Sequence, residues 1–560
     1  MEDMAMTSLP PEIQFGIVGH MDPLDIFHLQ LTCKSLHDLV EGSAELVWKH
    51  CLEQHCIRNC LFRPSYSHLN TASEYKQAAT APLRFTSAYA RSVATGDVID
   101  KVMTRIKFPA AYVADIDDVQ EMHLIPGGRF LLTFKREEIG VWDIISPTRL
   151  KLVVEVPLDR FCGLEYTTVV GHDRLYIVYE VDAGMPKGYT RLGVDGSEDA
   201  TTLALLELYW TANNTFETRS HGQLAIVHLP KTEIQTFSLI GSKLIVQLGS
   251  LTLVWDFRSD CYTGWKLLDI SKPSEIFASE KHVIYVTKEG VHGVVYTDYS
   301  PVASGYVSLQ ASIRGFKIPS FSIRFAGRQP DIERDDNLPN KVLGPNICSL
   351  VDGTDDLIFD VRESLFYQQI SDNKSYDSDD STLETEFQVS FNDVEYDDDV
   401  RASLQVHRYK FKYRPENPSA SSLTRVSASE HAFSESQSSF EYPPQHPAWY
   451  FTADYFQRCN GPDSTVVLWT YPYEEWSPGW EDEWSNPVFI SLADGKQREK
   501  DGRVTIAPLI GMEDIEAETF VQKAALCPAS AKGVVMWGAD PEDQDEFSGA
   551  WKWFDLFEVV

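Results

Sequence analysis

The feature that most limits what this chain can fold into is a long series of short apolar runs, which begins near Lys107. The runs are about four to eight residues long and rich in β-branched and aromatic side chains, and Gly, Asp, Asn or Pro bounds each of them. Long amphipathic helices are scarce in this part of the sequence. The pattern predicts a mainly-β body over residues 107–560, with strands at runs such as 130–134, 175–179, 224–227, 244–246 and 283–286.

Several runs repeat one unit, in which a turn and a strand are followed by a second turn and a strand that ends in an aromatic residue. The units at 127–143 and 241–256 both end in Trp-Asp, and the unit at 281–296 ends in Tyr. Trp255 and Tyr296 are 41 residues apart, close to the length of a propeller blade of four strands. Runs at 357–360, 466–469 and 534–537 are candidates for further blades.

The body therefore resembles a degenerate β-propeller of the WD-repeat type. The Gly-His dipeptide of that family occurs at Gly171-His172, but its spacing to the next Trp-Asp is wrong. A body of this length would fit six to eight blades with insertions, and a β-sandwich or another sheet assembly with similar hairpins is the alternative. The apolar run from Ala550 to Val560 predicts a strand that closes the ring by pairing between about Lys107 and Leu132.

Two other parts of the body differ in composition. Residues 371–399 are rich in Asp and Ser, and residues 414–444 are rich in Ser, Pro and Glu. Because neither stretch has the apolar content to pack, we expect a disordered acidic and Ser-rich insertion at about 371–444. The aromatic stretch from Trp469 to Trp484 predicts either hairpin packing or a binding surface.

The first sixty residues have helical periodicity instead. Pro10 and Pro11 suit the entry turn of a first helix, Asp22-Pro23 opens a second, and Ser35 can cap a third. So small a unit cannot bury all of its apolar residues internally. The surplus apolar face must therefore pack on the rest of the chain or on a partner.

The order of these residues resembles the F-box. Its Leu-Pro-x-Glu-Ile string stands at 9–13, its Pro-x-Asp turn at 23–25 and its Cys-Lys pair at 33–34, with Ile26 and Leu36 as minor departures. The match spans about forty residues. It implies docking on a Skp-type adaptor, which links the chain to a cullin, and it implies these contacts: Leu9, Pro10, Ile13, Ile17, Pro23, Leu24, Leu29, Cys33, Leu36, Val40 and Trp48.

The sequence thus predicts an α+β multidomain chain. A small three-helix F-box at 1–60 precedes a helical linker at 61–106 and the mainly-β body at 107–560, which we expect to fold without the F-box. A fungal-type F-box protein with a WD-repeat-like body is the implied family. Its implied function is that of a non-catalytic substrate-recognition subunit of an SCF-type cullin ubiquitin ligase, binding a client protein. The alternatives are an adaptor-bound scaffold outside any ligase, or a propeller-type hydrolase.

Amino-acid composition limits the classes of partner and the compartments that we expect for this protein. With 83 Asp and Glu against 49 Lys and Arg, the net charge of −34 disfavours nucleic acid. No apolar run is long enough to span a membrane, and Glu2 and Asp3 stand where a signal peptide would be basic. The nine cysteines form no disulfide framework, so we expect a cytoplasmic or nuclear protein.

We expect no cofactor, no metal and no catalytic residue. The sequence has no nucleophile elbow, phosphate-binding loop or zinc-protease motif. Cys51, His55, Cys56 and Cys60 could suggest zinc, but on one helix Cys60 lies nearly opposite Cys51. Buried thiols on a packed helix explain these residues better.

Overall fold

The structure is a computed structural model of the full chain. The residues that it describes are 9–58, 61–109, 118–146, 150–158, 160–182, 199–228, 234–267, 275–278, 282–287, 290–295, 302–303, 307–308, 313–317, 319–324, 342–343, 356–367, 401–414, 417–432, 459–461, 464–470, 488–494, 506–510, 519–539 and 552–560.

Four helices, rather than three, occupy residues 9–58. They are α1 (Pro11–Gly19), α2 (Pro23–Thr32), α3 (Lys34–Gly42) and α4 (Ala44–Arg58). Proline stands in the first turn of α1 and of α2, where its missing N–H costs no hydrogen bond, as predicted. The prediction for α3 was wrong, because Cys33 and not Ser35 precedes its first turn. We call residues 9–58 the helical module.

The segment from 61 to 105 connects the module to the sheets. A 3₁₀ turn (Arg63–Tyr66) leads into α5 (Ala72–Ala79) and α6 (Ala81–Thr95). Thr71 and Glu74 form a reciprocal capping box at the start of α5. Gly96 ends α6 at φ +80°, a conformation that favours glycine. Strand β1 (Lys101–Arg105) follows.

The remaining strands form seven sheets among the described residues, and we number them as blades in chain order. Blade 1 consists of β2 (Glu121–Leu124), β3 (Phe130–Phe134), β4 (Glu138–Asp143) and β5 (Lys151–Pro157). Blade 2 consists of β6 (Phe161–Val170), β7 (Arg174–Val181), β8 (Asp199–Trp210) and β9 (Phe216–His228). Blade 3 consists of β10 (Ile234–Ile240), β11 (Lys243–Leu248), β12 (Leu251–Asp256) and β13 (Cys261–Leu267).

Blade 4 begins with β14 (Glu275–Ala278), β15 (His282–Val286) and β16 (Gly290–Val295). The chain then turns back along the outer edges of two earlier blades: β17 (Val302–Ala303) and β19 (Ile313–Lys317) pair with β13, and β18 (Val307–Ser308) pairs with β9. Strand β20 (Phe321–Arg324) completes blade 4.

Blade 5 consists of β21 (Val342–Leu343), β22 (Asp356–Tyr367), β23 (Arg401–Lys412) and β24 (Ser422–Ala432). Blade 6 consists of β25 (Cys459–Gly461), β26 (Ser464–Thr470), β27 (Val488–Asp494) and β28 (Ile506–Ile510). Blade 7 consists of β29 (Thr519–Cys527), β30 (Lys532–Ala539) and β31 (Lys552–Val559), with β1 as its outer strand.

Contacts between neighbouring blades arrange the sheets around a centre. The first strands of successive blades lie side by side, with β29 against β2, β6 against β10, and β10 against β14. Tyr413 bonds to His282 between blades 5 and 4, and Leu509 packs in one cluster with Leu526 between blades 6 and 7. Successive antiparallel sheets that meet through their first strands make a β-propeller, as the sequence predicted.

The ring is closed by the last strand, in the manner predicted but not at the place predicted. Strand β31 pairs antiparallel with β1, and Met103 lies opposite Phe557. Its partner therefore lies just before Lys107 rather than between 107 and 132. The expected domain boundary at 106 separates β1 from the sheet to which it belongs.

The repeated sequence units are the second and third strands of blades 1, 3 and 4. Leu131 pairs with Trp142 in blade 1, and Leu244 pairs with Trp255 in blade 3. The Trp142 indole Nε1 donates to Thr133 Oγ1 over 2.9 Å, so this buried ring has its polar atom satisfied. The repeats thus mark the buried centre of a blade.

The insertion expected at 371–444 was wrong in part. Strands β23 and β24 lie within that range and pair along ten positions, from Ser403 with Ala432 to Lys412 with Ser422. They were missed because their many polar and charged residues lower the apolar content of the stretch, although apolar residues alternate along β23. Residues 368–400 and 433–450 lie outside the described residues, as do the aromatic residues of the stretch after Thr470 up to Trp484.

Candidate functional site

The helical module exposes large apolar side chains on three of its helices. On α1, Ile13 is 52% exposed and Ile17, one turn later, is 41% exposed. On α2, Leu24 is 49% exposed and Leu31, two turns later, is 82% exposed. Leu46 on α4 is also exposed. These five residues are called the apolar surface of the module, and water covers them in the isolated chain, which is unfavourable.

The opposite sides of the same helices form the interior of the module. Val18, Ile26 and Val40 are fully buried, and they pack in one cluster with Trp48. The Trp48 ring lies 5.4 Å from that of Phe27, measured between centroids. This interior holds the helices in place without using the residues of the apolar surface.

Polar contacts fix the ends of the helices. Gln14 Nε2 donates to the Leu9 carbonyl over 2.7 Å, which orders the chain before α1. Gln30 Nε2 donates to Glu41 Oε1, also over 2.7 Å, and so ties α2 to α3. The ammonium group of Lys76 on α5 lies 5.2 Å from the Trp48 ring centroid, a favourable cation–π distance. These contacts hold in place the helices that carry the apolar surface.

The module is not a separate unit on a flexible tether. One hydrophobic cluster contains Trp48, Leu52 and Cys56 of the module together with Trp142 of blade 1 and Phe554 of blade 7. The buried residues of the helices and of the propeller therefore form a continuous core. The position of the apolar surface relative to the blades follows from this shared packing.

Comparison with known families identifies the module. Residues 6–47 match the model of the F-box domain. This chain carries an F-box. The matched residues end one position before Trp48, and α4 continues beyond them to Arg58.

The propeller resembles solved structures only distantly. The N-terminal domain of Nup159 has a TM-score of 0.30 and 11% identity, and the match covers 82% of this chain and 95% of that one. The WD40 domain of SCAP from fission yeast has a TM-score of 0.29 and 9% identity, and the match covers 79% and 82%. No curated protein matches the chain.

The structure places the eleven predicted contact residues of the F-box in two environments. Those at the surface, wholly or in part, are Leu9, Pro10, Ile13, Ile17, Pro23, Leu24, Leu29 and Cys33. Those in the interior are Leu36, Val40 and Trp48, which are 7%, 0% and 1% exposed. The last three stabilise the F-box and do not lie on its surface.

Two residues of the apolar surface were missed by the sequence reasoning. Leu31 lies seven positions after Leu24, so two turns of α2 bring both side chains to one face. This spacing was the signal that could have found Leu31. Leu46 stands beside the buried Val47 and Trp48, and sequence alone does not tell which of the three points outward.

The thiols next to the F-box are buried. Cys51 and Cys56 on α4 are each 2% exposed, and burial raises the pKa of Cys56 to about 12. His55 Nε2 lies 3.2 Å from the Ala529 carbonyl of blade 7. Among the described residues no group of His, Cys, Asp or Glu side chains could hold a metal ion, and Cys60 lies outside them.

None of the described helices is long and apolar enough to cross a membrane.

The groups of the propeller whose pKa is most strongly shifted lie in its interior. Burial lowers the pKa of His123 to about 4 and raises that of Tyr285, whose hydroxyl accepts a hydrogen bond from Trp265 Nε1 at 3.1 Å. Burial is the first cause of each shift, and this is what packing alone produces.

Proposed function

We propose that this chain is the substrate-recognition subunit of an SCF-type cullin ubiquitin ligase. In this proposal the F-box docks on a Skp-type adaptor, the adaptor links it to a cullin, and the propeller binds a client protein. The chain itself does no chemistry. It raises the local concentration of the client near a separately bound conjugating enzyme.

One observation carries the proposal. An F-box at 6–47 keeps Ile13, Ile17 and Leu24 exposed although its own core is complete. Exposed aliphatic side chains at helical spacing are the anchors of helix-to-helix recognition. Burying them on a partner would remove an unfavourable apolar surface, at about 25 cal/mol per Å².

The test is affinity capture with a purified Skp-type adaptor and a cullin. The variant Ile13→Ala, Ile17→Ala, Leu24→Ala should lose the adaptor and, with it, the cullin. The matched control is Val102→Ala, Ile145→Ala, Leu152→Ala, because these side chains are also exposed and apolar but lie on the propeller. Equal capture by both variants would overturn the proposal.

The same experiment separates the alternatives. An adaptor-bound scaffold outside any ligase would retain the adaptor and exclude the cullin. A propeller-type hydrolase would need clustered groups with perturbed pKa values at an open site. The shifts of His123 and Tyr285 arise from burial in different blades, which favours a binding role over a catalytic one.

The proposal places the protein in the cytoplasm, the nucleus or both. The buried thiols of Cys51, Cys56 and Cys527, which form no disulfide in the described part of the chain, support this, since reducing compartments preserve such thiols. Fluorescent tagging of the full chain tests it, and accumulation in the secretory pathway would contradict it.

A further inference from the structure

The junction between F-box and propeller is built around residues 61–69, here called the bridge segment. Its backbone is held by the turns that join the first and second strands of two blades. Phe62 N donates to the Pro126 carbonyl of blade 1 over 3.0 Å, and Arg63 N donates to the His172 carbonyl of blade 2 over 2.7 Å. The bridge segment therefore joins neighbouring blades on one face of the propeller.

Side chains strengthen the same junction. The Phe62 ring is fully buried and stacks on Phe216 of blade 2, with centroids 5.5 Å apart and an 8° angle between the planes. Arg129 of blade 1 donates through Nη1 to the Pro64 carbonyl at 3.2 Å and to Ser67 Oγ at 2.8 Å. Its other nitrogens bind Asp143, which holds the guanidinium in position.

The turns approach so closely that glycine is required. At Gly127, where φ is +109°, a Cβ atom would lie 2.6 Å from Cβ of Ser65 in the bridge segment. The Gly127 N–H donates to Cys527 Sγ of blade 7 at 3.2 Å. Blade 7 is the blade that β1 and β31 close, so one turn connects the bridge segment to the closure of the ring.

From this continuity we infer that the F-box and the ring closure unfold as one cooperative unit. A change in the stability of the F-box is then transmitted to blade 7, through the shared core and the bridge segment. Binding at the apolar surface, which rests on the proposed function, stabilises the ring in the same way. The stability of the F-box thus sets the stability of the ring closure in blade 7.

Hydrogen exchange of the full-length protein tests the inference without any partner. Ile26→Val removes one methylene from the F-box interior, where Ile26 is fully buried. The slowest amides of β31 should exchange about 2- to 12-fold faster, by the same factor as those of α2. Ile145→Val is the matched control, because it removes the same methylene from a side chain that is 43% exposed, and it should change neither set.

A second arm weakens the junction. Arg129→Lys cannot hold Pro64, Ser67 and Asp143 together, because an ammonium group lacks the planar fork. In that background Ile26→Val should accelerate the β31 amides by a smaller factor than the α2 amides, because only the shared core still joins the two. Arg160→Lys is its control, since the Arg160 guanidinium reaches only the exposed Asp182 carboxylate, at 3.5 Å, in the described contacts. If Ile26→Val in the otherwise unchanged protein leaves the exchange rates of the slowest β31 amides unaltered, the inference is overturned.

The adaptor arm separates this inference from the proposed function. With a Skp-type adaptor at 100 times its Kd, the slowest β31 amides should exchange about 100-fold more slowly. Adaptor binding without this slowing overturns the coupling and leaves the proposed function standing. Absence of adaptor binding overturns the proposed function, and the Ile26→Val arm then decides the coupling.

Discussion

Arg105 Nε donates to Asp555 Oδ1 over 2.8 Å, and so joins two residues that are 450 positions apart in the sequence. Arg105 is the last residue of β1, and Asp555 lies within β31. Asp555 is also largely buried, whereas Arg105 is half-exposed. The pair lies at the point where the propeller closes, so the stability of the ring depends on the strand that carries Asp555.

Removal of residues 552–560 should therefore destabilise the whole propeller. Strand β31 lies between β1 and β30, and its loss would leave both with unpaired backbone groups. Thermal melting by circular dichroism measures the effect. Phe554→Ala is the milder form, since Phe554 is fully buried, and it should cost about 3–5 kcal/mol. A truncated protein that melts like the full chain would contradict ring closure by β31.

A second prediction concerns the first strand. A fragment of residues 97–560 retains β1, and a fragment of residues 107–560 lacks it. Without β1, the apolar strand β31 becomes an exposed edge, which favours aggregation. We expect the shorter fragment to melt lower and to elute partly as aggregates in size-exclusion chromatography. Identical behaviour of the two fragments would show that β1 contributes nothing to closure.

A third prediction separates stability from docking within the F-box. Trp48→Ala should lower the free energy of unfolding by about 3–5 kcal/mol, because Trp48 is 1% exposed. Ile13→Ala, at 52% exposure, should change it by less than about 0.5 kcal/mol and yet weaken capture by a Skp-type adaptor. Urea denaturation and capture of both variants give the result. A large stability loss for Ile13→Ala would mean that Ile13 supports the fold.

A fourth prediction concerns acid pH. His123 of blade 1 lies 3.1 Å from Thr167 Oγ1 of blade 2, measured from Nε2, and burial lowers its pKa to about 4. An unfolded histidine has a pKa of about 6.5, so between these values the unfolded chain binds the extra proton. The free energy of unfolding must then fall as the pH falls from 6.5 towards 4.

For His123 this amounts to no more than about 2 kcal/mol between pH 7.5 and pH 5. Urea denaturation at both pH values measures it. His123→Gln keeps a polar partner for Thr167 but does not titrate, so the loss of stability in acid should be smaller by that amount. An equal loss in the variant would show that His123 is not the responsible group.

The F-box, the blades and the burial of the last strand could each be predicted from local sequence. The Leu-Pro-x-Glu-Ile string at 9–13 and the turn at 23–25 determined the F-box, because helix starts and spacing are local properties. Short apolar runs that end in Trp142 and Trp255 and are bounded by turn residues determined the blades, because apolar runs and turns are local as well. The strongly apolar composition of residues 552–560 determined that this last segment had to be buried.

Only the tertiary structure decided which partners these elements found. That β31 pairs with β1 depends on an encounter across 450 residues, which no local pattern encodes. That Leu36, Val40 and Trp48 point inward while Ile13, Ile17 and Leu24 point outward depends on where the helices pack. An apolar residue at helical spacing suits either side, and for Val40 and Trp48 the shared core with blades 1 and 7 assigns the side.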